Sequence, residues 1–463
     1  MKKRPADTEI AARKKRKLIA GCQVCTPEQA GLISEPLDRL RQVVHEEVHE
    51  LGSLSGVAHL ILVDGKCVFA QADGLANESG AKFELQTLCA LHSCSKPLTV
   101  AAFLTLLDAG KVRLTDPIDK YLPYPERVLA RTGGAQTRKV RVRPTLQHLL
   151  TMQAGLRHSD DDAYSSIVSE LKKQRIRDLT SFCDALFKIP LLSEPGNLHY
   201  YSLAIDVLGR VCEVISGKPL DVFVTESLLR PLGMLDTHFI VPSSKLRRTA
   251  ELYDCRRSVG SRSKPSKKPY CAHPWHGPQM HPGVFSGGGG ILSYSDAGMY
   301  GTAEDYARFC QMLINGGCTS NGRRILRKST VQLLFRDCLT PFANSNGRVR
   351  GWDDYGGSDP SEKHYWEHHA WSLLNATLDL EERPRISGPP RKGHTLWMYG
   401  MGAYWFVDAR RKLVGISFAQ CFSSRSKDRG SDCVPFAKEA FDKGPAGKKL
   451  KIKKAEKYYG KLP

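Results

Sequence analysis

Residues 90–123 read ALHSCSKPLTVAAFLTLLDAGKVRLTDPIDKYLP, and this stretch decides how the rest of the chain is interpreted. Apolar side chains recur at helical spacing between Ser93 and Ala109, at Val100, Phe103, Leu104 and Leu107. Gly110 follows directly and is a typical helix stop. The pattern therefore predicts a helix over 93–109 that opens on a serine.

The helix opens with Ser93-Cys94-Ser95-Lys96, which places a hydroxyl and an amine three residues apart. Residues i and i+3 share a helix face, so Ser93 Oγ and Lys96 Nζ can meet. The first helical turn also offers free N–H groups and the positive end of the helix dipole, which stabilise developing negative charge. Burial favours a neutral lysine that can accept a proton. The pairing suits a serine nucleophile, although an ordinary helix N-cap is the commoner explanation of such a tetrapeptide alone.

Three further blocks follow in order along the chain: TLQHLLTMQAGL at 145–156, PGNLHYYSL at 195–203, and the interrupted SGGGGILS…TAEDYARFCQMLINGG at 286–317. Together they resemble the serine hydrolases of the β-lactamase and penicillin-binding-protein superfamily, over about residues 31–420. The resemblance implies an α+β fold, an antiparallel β-sheet flanked by helices with an inserted mostly helical subdomain. It also implies that Tyr201 is the catalytic tyrosine of the second motif.

Departures from the superfamily pattern indicate its esterase-like branch, the family VIII carboxylesterases. Leu203 stands where the second motif of penicillin-recognising members has an asparagine. Counting back from the strand-like GAYWFVD, Trp397 falls at the third motif of that branch, with Met398 and Tyr399 in place of two glycines. An alternative alignment puts His394 at the third motif. We expect Leu203, Met398 and Tyr399 to shape a narrow substrate pocket that suits esters better than β-lactams.

The resemblance implies acyl transfer through a covalent acyl-enzyme on Ser93, with Lys96 and Tyr201 sharing the role of general base. The oxyanion is expected between the N–H groups of Ser93 and Gly400. A small-molecule ester is the expected substrate, and neither a cofactor nor a metal is expected. Two alternatives stay open: an acyltransferase of the same fold, and a catalytically weak scaffold or binding protein descended from it.

The positive charge of the chain is concentrated at its two ends. Residues 1–17 carry a net charge of +6 and residues 443–463 carry +7, which is most of the total of +20. The remaining residues, 18–442, carry only +7. A strongly basic body would favour a nucleic-acid-binding fold, whereas basic tails on a body of near-ordinary charge favour addressing or docking. Nucleic acid is therefore not the expected partner.

The same charge pattern gives the domain organisation. We expect a basic disordered arm at 1–20, a hydrolase domain at 21–440 and a basic tail at 441–463. Within the domain, the helical subdomain is expected in about 110–285. Residues 341–394 are rich in glycine, proline and charge, so they are predicted to be an irregular insertion.

The predicted location is intracellular, in the cytoplasm, the nucleus or both. No run of about 18 apolar residues is present, so no membrane span is expected. The cysteines are too scattered for a disulfide scaffold, and no secretory signal is apparent at the start of the sequence. Lys2-Lys3 and the cluster Lys14–Lys17 have the spacing of a bipartite nuclear-import signal, so an import receptor is a candidate partner. A solvated basic arm without a specific receptor is the alternative.

One competing motif is His45-Glu46-Glu47-Val48-His49, which matches the H-E-x-x-H signature of zinc metalloproteases. Its helix is expected to bury an apolar stripe formed by Leu37, Leu40, Val44, Val48 and Leu51. At 100° per residue both histidines lie about 80–120° from the centre of that stripe. No third ligand follows at a convincing spacing, so a solvated helix face is the preferred interpretation and no metal site is predicted.

Overall fold

A computed structural model describes most of the chain, namely residues 18–129, 136–157, 169, 176, 178–254, 298–339, 369–380, 393–400, 402–422 and 433–452. The strands in these segments are β1 (Leu18–Ile19), β2 (Cys22–Val24), β3 (Gly56–Val63), β4 (Lys66–Gly74), β5 (Cys89–Ala90), β6 (Arg127–Leu129), β7 (Thr137–Lys139), β8 (Tyr253–Asp254), β9 (Tyr300–Gly301), β10 (His369–Trp371), β11 (Thr377–Leu380), β12 (Gly393–Gly400), β13 (Ala403–Asp408), β14 (Leu413–Ala419) and β15 (Cys421–Phe422). The helices are α1 (Glu35–His45), α2 (Ser95–Asp108), α3 (Leu146–Leu150), α4 (Leu179–Leu186), α5 (Ala204–Ser216), α6 (Leu220–Val224), α7 (Arg230–Leu232), α8 (Ala303–Ile314), α9 (Lys328–Leu334), α10 (Cys433–Lys443) and α11 (Pro445–Ile452).

The core of the fold is a nine-stranded sheet in the order β1-β2-β4-β3-β14-β13-β12-β11-β10. Its neighbours run antiparallel, except for β2 and β4, which are parallel. Strands β3 and β14 bring the two ends of the chain together at the centre of the sheet, with Ile61 opposite Gly415. The expected α+β class, a mainly antiparallel sheet flanked by helices, is confirmed.

The β3-β4 hairpin closes through a two-residue turn. Both central residues have positive φ angles, 47° at Asp64 and 77° at Gly65. A type I′ turn requires left-handed backbone at both of these positions, and Asp-Gly is among the dipeptides that tolerate it best. The local sequence therefore sets the register of this hairpin.

One face of the sheet, called the front face from here on, forms a single core with helices α2 to α8. Leu60 and Trp405 belong to its core. The rings of Tyr306 and Phe309 from α8 lie 5.7 and 6.3 Å from the Trp405 ring. Helix α2 is part of the same core and is buried on all sides over its first turns. Among the described residues, no helix combines the length and hydropathy needed to cross a membrane.

The opposite face, called the back face, is covered by α1 and α10. Ile61 and Phe406, which alternate with front-face residues along their strands, pack there with Leu40 of α1 and Ala437 of α10. Because successive strand residues point to opposite faces, a strand covered on both faces is apolar throughout. This explains why every residue of β3 is buried.

Helix α1 buries the predicted stripe only in part. Leu37, Leu40, Val44 and Val48 are buried, whereas Leu51 is 70% exposed. The α-helix changes to a π-helical turn at Glu46–Glu50 and then stops. The apolar spacing of an α-helix does not extend past that turn, which leaves Leu51 outside the core.

The predicted irregular insertion at 341–394 is wrong in its second half. Residues His369–Trp371 and Thr377–Leu380 form β10 and β11, which complete one edge of the main sheet, and β12 already begins at Gly393. The strands are short and lie beside glycine-rich sequence, so their composition predicts irregular structure. They are stabilised by pairing with neighbouring strands, which composition does not reveal. Residues 340–368 and 381–392 lie outside the described residues.

The folded body also extends beyond the predicted boundaries of the two tails. Leu18 and Ile19 pair with β2, although the arm was expected to reach residue 20. Residues 441–452 are helical rather than tail, and Ala446 donates its N–H to the Gly31 carbonyl at 2.9 Å. Residues 1–17 and 453–463 lie outside the described residues. So do residues 255–297, which include the last part of the helical subdomain expected in about 110–285.

Candidate active site

The candidate nucleophile lies in a tight turn that precedes α2. Ser93 is the middle residue of a short 3-10 helix, and His92 before it has a positive φ of 44°. Gln420 holds the residues just before this turn. Its side-chain oxygen accepts from the Ala90 N–H at 2.9 Å, and its side-chain NH₂ donates to the Ala90 carbonyl oxygen at 3.2 Å. Non-glycine residues adopt positive φ rarely, and such strain concentrates at functional sites.

Three predicted residues meet at Ser93 Oγ. The Nζ atom of Lys96 lies 3.3 Å from Ser93 Oγ, and the Tyr201 hydroxyl lies 2.9 Å from the same atom. Lys96 Nζ is also 4.8 Å from the centre of the Tyr201 ring. A nucleophile within hydrogen-bond reach of two groups that can hold its proton is the arrangement that covalent catalysis requires.

Lys96 is completely buried although it carries an amine. A lone buried ammonium is costly, so lysines in such surroundings are usually functional or closely paired. The hydroxyl of Ser93 and the ring of Tyr201 both contact Nζ. The amine is thus held beside the nucleophile and away from bulk water.

Burial raises the pKa of the Tyr201 phenol well above its ordinary value, and the hydrogen bond to Ser93 opposes this only in part. The ring is held by Trp371 of β10, edge to face at 6.1 Å between centroids. His199 packs edge to face against the same indole at 4.9 Å. Burial lowers the pKa of His199 to about 3, so it stays neutral near pH 7. Tyr201 therefore sits, protonated, in a rigid aromatic frame.

Strand β12 brings its Gly400 end to the nucleophile. Gly400 pairs with Ala403 across the β12-β13 hairpin, and the thiol of Cys94 lies 3.5 Å from the Ala403 carbonyl oxygen. The same thiol lies 3.9 Å from the Met398 carbonyl oxygen. Pairing between β11 and β12 ends at Trp397, so among the described strands none pairs with 398–400 on that side. This end of β12 therefore lies beside the residue that follows Ser93.

Two of the third-motif candidates do not reach Ser93. Trp397 points to the back face, where its indole N–H donates to Asp379 Oδ1 at 2.9 Å. His394 lies six residues before Gly400, which is about 20 Å along an extended strand. Neither of the two side chains expected at the third motif, Trp397 or His394, therefore lies at the nucleophile.

The predicted pocket residues belong to the core. Leu203 is 1% exposed and Met398 is 6% exposed, and both are part of the front-face core. The side chain of Tyr399 lies outside the described residues.

Several residues that hold the site were not predicted from the sequence. Cys94 and Gln420 connect the nucleophile turn to the sheet, and Trp371 holds Tyr201. Cys94 adjoins Ser93, so its position in the sequence was a usable signal. Gln420 and Trp371 are hundreds of residues away, and no local pattern marks them.

The fold and the meeting of Ser93, Lys96 and Tyr201 are those that the sequence analysis expects of a serine hydrolase. A sequence profile of the Beta-lactamase family matches residues 40–432, so the chain belongs to that family. Its relatives include Esterase EstB from Burkholderia gladioli, 29% identical over 394 residues, which cover 82% of this chain and 88% of EstB. Acyltransferase mokF from Monascus pilosus is 25% identical over 262 residues, covering 55% of this chain and 58% of that protein.

A solved structure with the same fold is unliganded Simvastatin Synthase (LovD) from Aspergillus terreus. The two superpose with a TM-score of 0.64 at 20% identity, over 88% of this chain and 98% of that one. At this identity the likeness establishes the fold alone. The family match over residues 40–432 confirms the expected superfamily and the expected enzyme class, a β-lactamase-related serine hydrolase.

Proposed function

We propose that this protein is a serine esterase that works through a covalent acyl-enzyme on Ser93. The observation that carries the proposal is the convergence of the Lys96 amine and the Tyr201 hydroxyl on Ser93 Oγ. A helix N-cap needs neither a buried amine nor a phenol beside its hydroxyl. The similarity to EstB supports an ester as the substrate class.

The reaction proceeds in two balanced steps. Ser93 Oγ attacks the ester carbonyl while its proton passes to the Lys96–Tyr201 pair, and the N–H groups of Ser93 and Gly400 stabilise the oxyanion. The C–O bond to the leaving alcohol then breaks, and Tyr201 supplies the proton that the alkoxide needs. Water attacks the acyl-enzyme, returns a proton through the same pair and releases the carboxylic acid.

The direct test is intact mass spectrometry after treatment with a fluorophosphonate. We expect one adduct on the wild-type protein, localised to Ser93, and none on Ser93→Ala. Ser202→Ala is the matched control, since Ser202 adjoins Tyr201 but has its hydroxyl 3.4 Å from Met152 Sδ. Labelling and ester hydrolysis that persist in Ser93→Ala would rule out the serine mechanism, and a wild-type protein that never labels would favour the scaffold alternative.

Esters are proposed as better substrates than β-lactams. Leu203 replaces a side-chain amide of the penicillin-recognising motif, and it is packed into the core. The third motif at Trp397-Met398-Tyr399 also has no lysine or arginine to pair with the carboxylate of a β-lactam. The missing hydrogen bond and the missing charge pair together cost about 3 kcal/mol in the transition state, or roughly two decades of rate. Nitrocefin should therefore be turned over at least about a hundredfold less efficiently than a p-nitrophenyl ester, and efficient nitrocefin turnover would contradict this substrate class.

Acyl transfer to an alcohol is the second candidate, because the relative mokF is described as an acyltransferase. Both activities share the acyl-enzyme and differ only in what attacks it. Adding a series of alcohols during ester turnover separates them. A transfer product that exceeds the free acid at millimolar alcohol would identify a transferase.

The basic N-terminal arm is proposed as a nuclear address. Its support is the bipartite spacing of Lys2-Lys3 and Lys14–Lys17, which lie outside the described residues. Residues 1–20 fused to a reporter too large to diffuse through nuclear pores should carry it into the nucleus of a eukaryotic cell. A reporter that stays in the cytoplasm would leave only a solvated arm, and deletion of 1–17 should not change ester kinetics in either case.

A further inference from the structure

The H-E-x-x-H segment has a neighbour that the sequence does not reveal. Strand β4 places Asp73 beside the segment, and Asp73 Oδ1 lies 2.8 Å from His49 Nε2. The rings of His45 and His49 are 4.7 Å apart between centroids. One ligand atom from each of His45, His49 and Asp73 lies within 4.8 Å of the other two. The missing third ligand of the motif is thus supplied by a different element.

The local backbone explains why these three side chains meet. His45 ends α1, and His49 lies in the π-helical turn Glu46–Glu50, a rare conformation that occurs often at functional sites. Gly74 has a positive φ of 83°, and a Cβ atom at this position would lie 2.9 Å from Val48 Cγ1. The same Cβ atom would lie closer still to the Ser55 carbonyl oxygen, so the glycine lets both the start of β3 and the π turn pack closely on the end of β4, next to Asp73.

We propose that His45, His49 and Asp73 form a zinc-binding site that joins α1 to β4. Two imidazoles and one carboxylate are a donor set that Zn²⁺ accepts, with water as a fourth ligand. Ligand atoms about 2.0–2.1 Å from a tetrahedral zinc are roughly 3.4 Å apart, so small rotations of these accessible side chains complete the geometry. Zinc takes the place of the hydrogen now shared between His49 and Asp73.

The surroundings favour a cation there. The Gly74 N–H donates to Asp73 Oδ1 at 2.8 Å and orients the carboxylate, as the outer contacts of metal ligands commonly do. Glu46, Glu47 and Glu50 add negative charge on the same turn. The site lies at the helix that covers the back face, whereas Ser93 belongs to the front face, so it is separate from the proposed acyl chemistry.

Calorimetric titration of zinc chloride into the metal-free, full-length protein tests the proposal. We expect one tight site in the wild type, and binding weakened more than about tenfold in His49→Ala and in Asp73→Asn, since even the outer contacts of metal ligands cost tenfold or more. Glu50→Gln is the matched control, because it removes one nearby carboxylate that is not a ligand. Its affinity should stay within about threefold of the wild type, since longer-range attraction alone is weak and screened.

Spectroscopy distinguishes this site from zinc bound by cysteine thiolates elsewhere in the chain. Cobalt(II) at this site should show no thiolate charge-transfer band, because no cysteine takes part. Equal zinc affinity in the wild type, His49→Ala and Asp73→Asn, or a thiolate band that all three share, would overturn the site. A Tm that rises with zinc in the wild type and in Glu50→Gln, but not in His49→Ala, would support the joining of α1 to β4. An unchanged wild-type Tm at saturating zinc would overturn that joining.

Discussion

The two faces of the central sheet each hold a shielded basic side chain, and they hold it in different ways. On the front face, Lys96 is fully buried, with the hydroxyl of Ser93 and the ring of Tyr201 next to its amine. On the back face, Arg411 is held by two carboxylates, Asp408 and Asp442, each at 2.8 Å. Carboxylates keep a cation charged and fix the structure, whereas hydroxyl groups exchange protons with an amine. The back-face pairing is suited to stability and the front-face pairing to chemistry.

The largest expected effect is on catalysis at Lys96. Lys96→Met removes the amine and keeps most of the volume, so kcat/KM for a p-nitrophenyl ester should fall by about 10³–10⁴. The unfolding midpoint should stay the same or rise, because an apolar side chain replaces a buried polar one. Steady-state kinetics and denaturant unfolding measure the two quantities. A strongly destabilised Lys96→Met protein would show that Lys96 has the structural role we assign to Arg411.

The next prediction distinguishes the catalytic role of Tyr201 from that of Lys96. Burial raises the pKa of Tyr201, so it is protonated near neutral pH and can donate to the leaving group. Tyr201→Phe should reduce hydrolysis of an alkyl ester by about 10³, but that of a p-nitrophenyl ester far less, since p-nitrophenolate leaves without a proton. Equal losses on both esters would show that Tyr201 acts mainly in the attack step, where it shares the Ser93 proton with Lys96, and not at the leaving group.

The matching change on the back face should affect stability alone. Arg411→Met leaves the fully buried Asp408 without its guanidinium partner and should lower the free energy of unfolding by about 3 kcal/mol. Ester turnover per folded molecule should not change. Lys412→Met is the control, because the Lys412–Asp64 pair is exposed and should contribute less than about 1 kcal/mol. A similar small loss in both variants would contradict the comparison of the two faces.

The smallest predicted effect is a pH dependence on the front face. Burial lowers the pKa of His199 to about 3, whereas its value in the unfolded chain is about 6.5. Between about pH 3 and pH 6.5 the imidazole is therefore protonated in the unfolded state and neutral in the folded state. The stability contributed by neutral His199 is present above pH 6.5 and is lost as the pH falls toward 3. When the pH is lowered from 6.5 to 4.5, the free energy of unfolding should fall in both proteins, and the fall should be roughly 2 kcal/mol smaller in His199→Asn than in the wild type. Denaturant unfolding at the two pH values measures this difference. Parallel pH profiles would show that His199 does not titrate as described.

Much of the fold was predictable where the signal is local. The helix at 93–109 is observed as the 3-10 turn and α2, because apolar spacing and a glycine stop act over a few residues. The edge of the sheet at 369–380 was not predicted, since short strands gain their stability from partners far along the chain. The face of Trp397 was also unpredictable, because shifting a strand register by one residue moves each side chain to the other face.

The sequence by itself determined the Ser93–Lys96 pair, since three residues of helix bring the two side chains together with no help from the rest of the chain. Only the tertiary structure decided that Tyr201 and Trp371 meet beside that pair, and that Asp73 joins His45 and His49. These contacts depend on strand pairing and on how closely helices approach the sheet. Neither is encoded within a short window of sequence, because the free energy of such contacts is shared among residues that are distant along the chain.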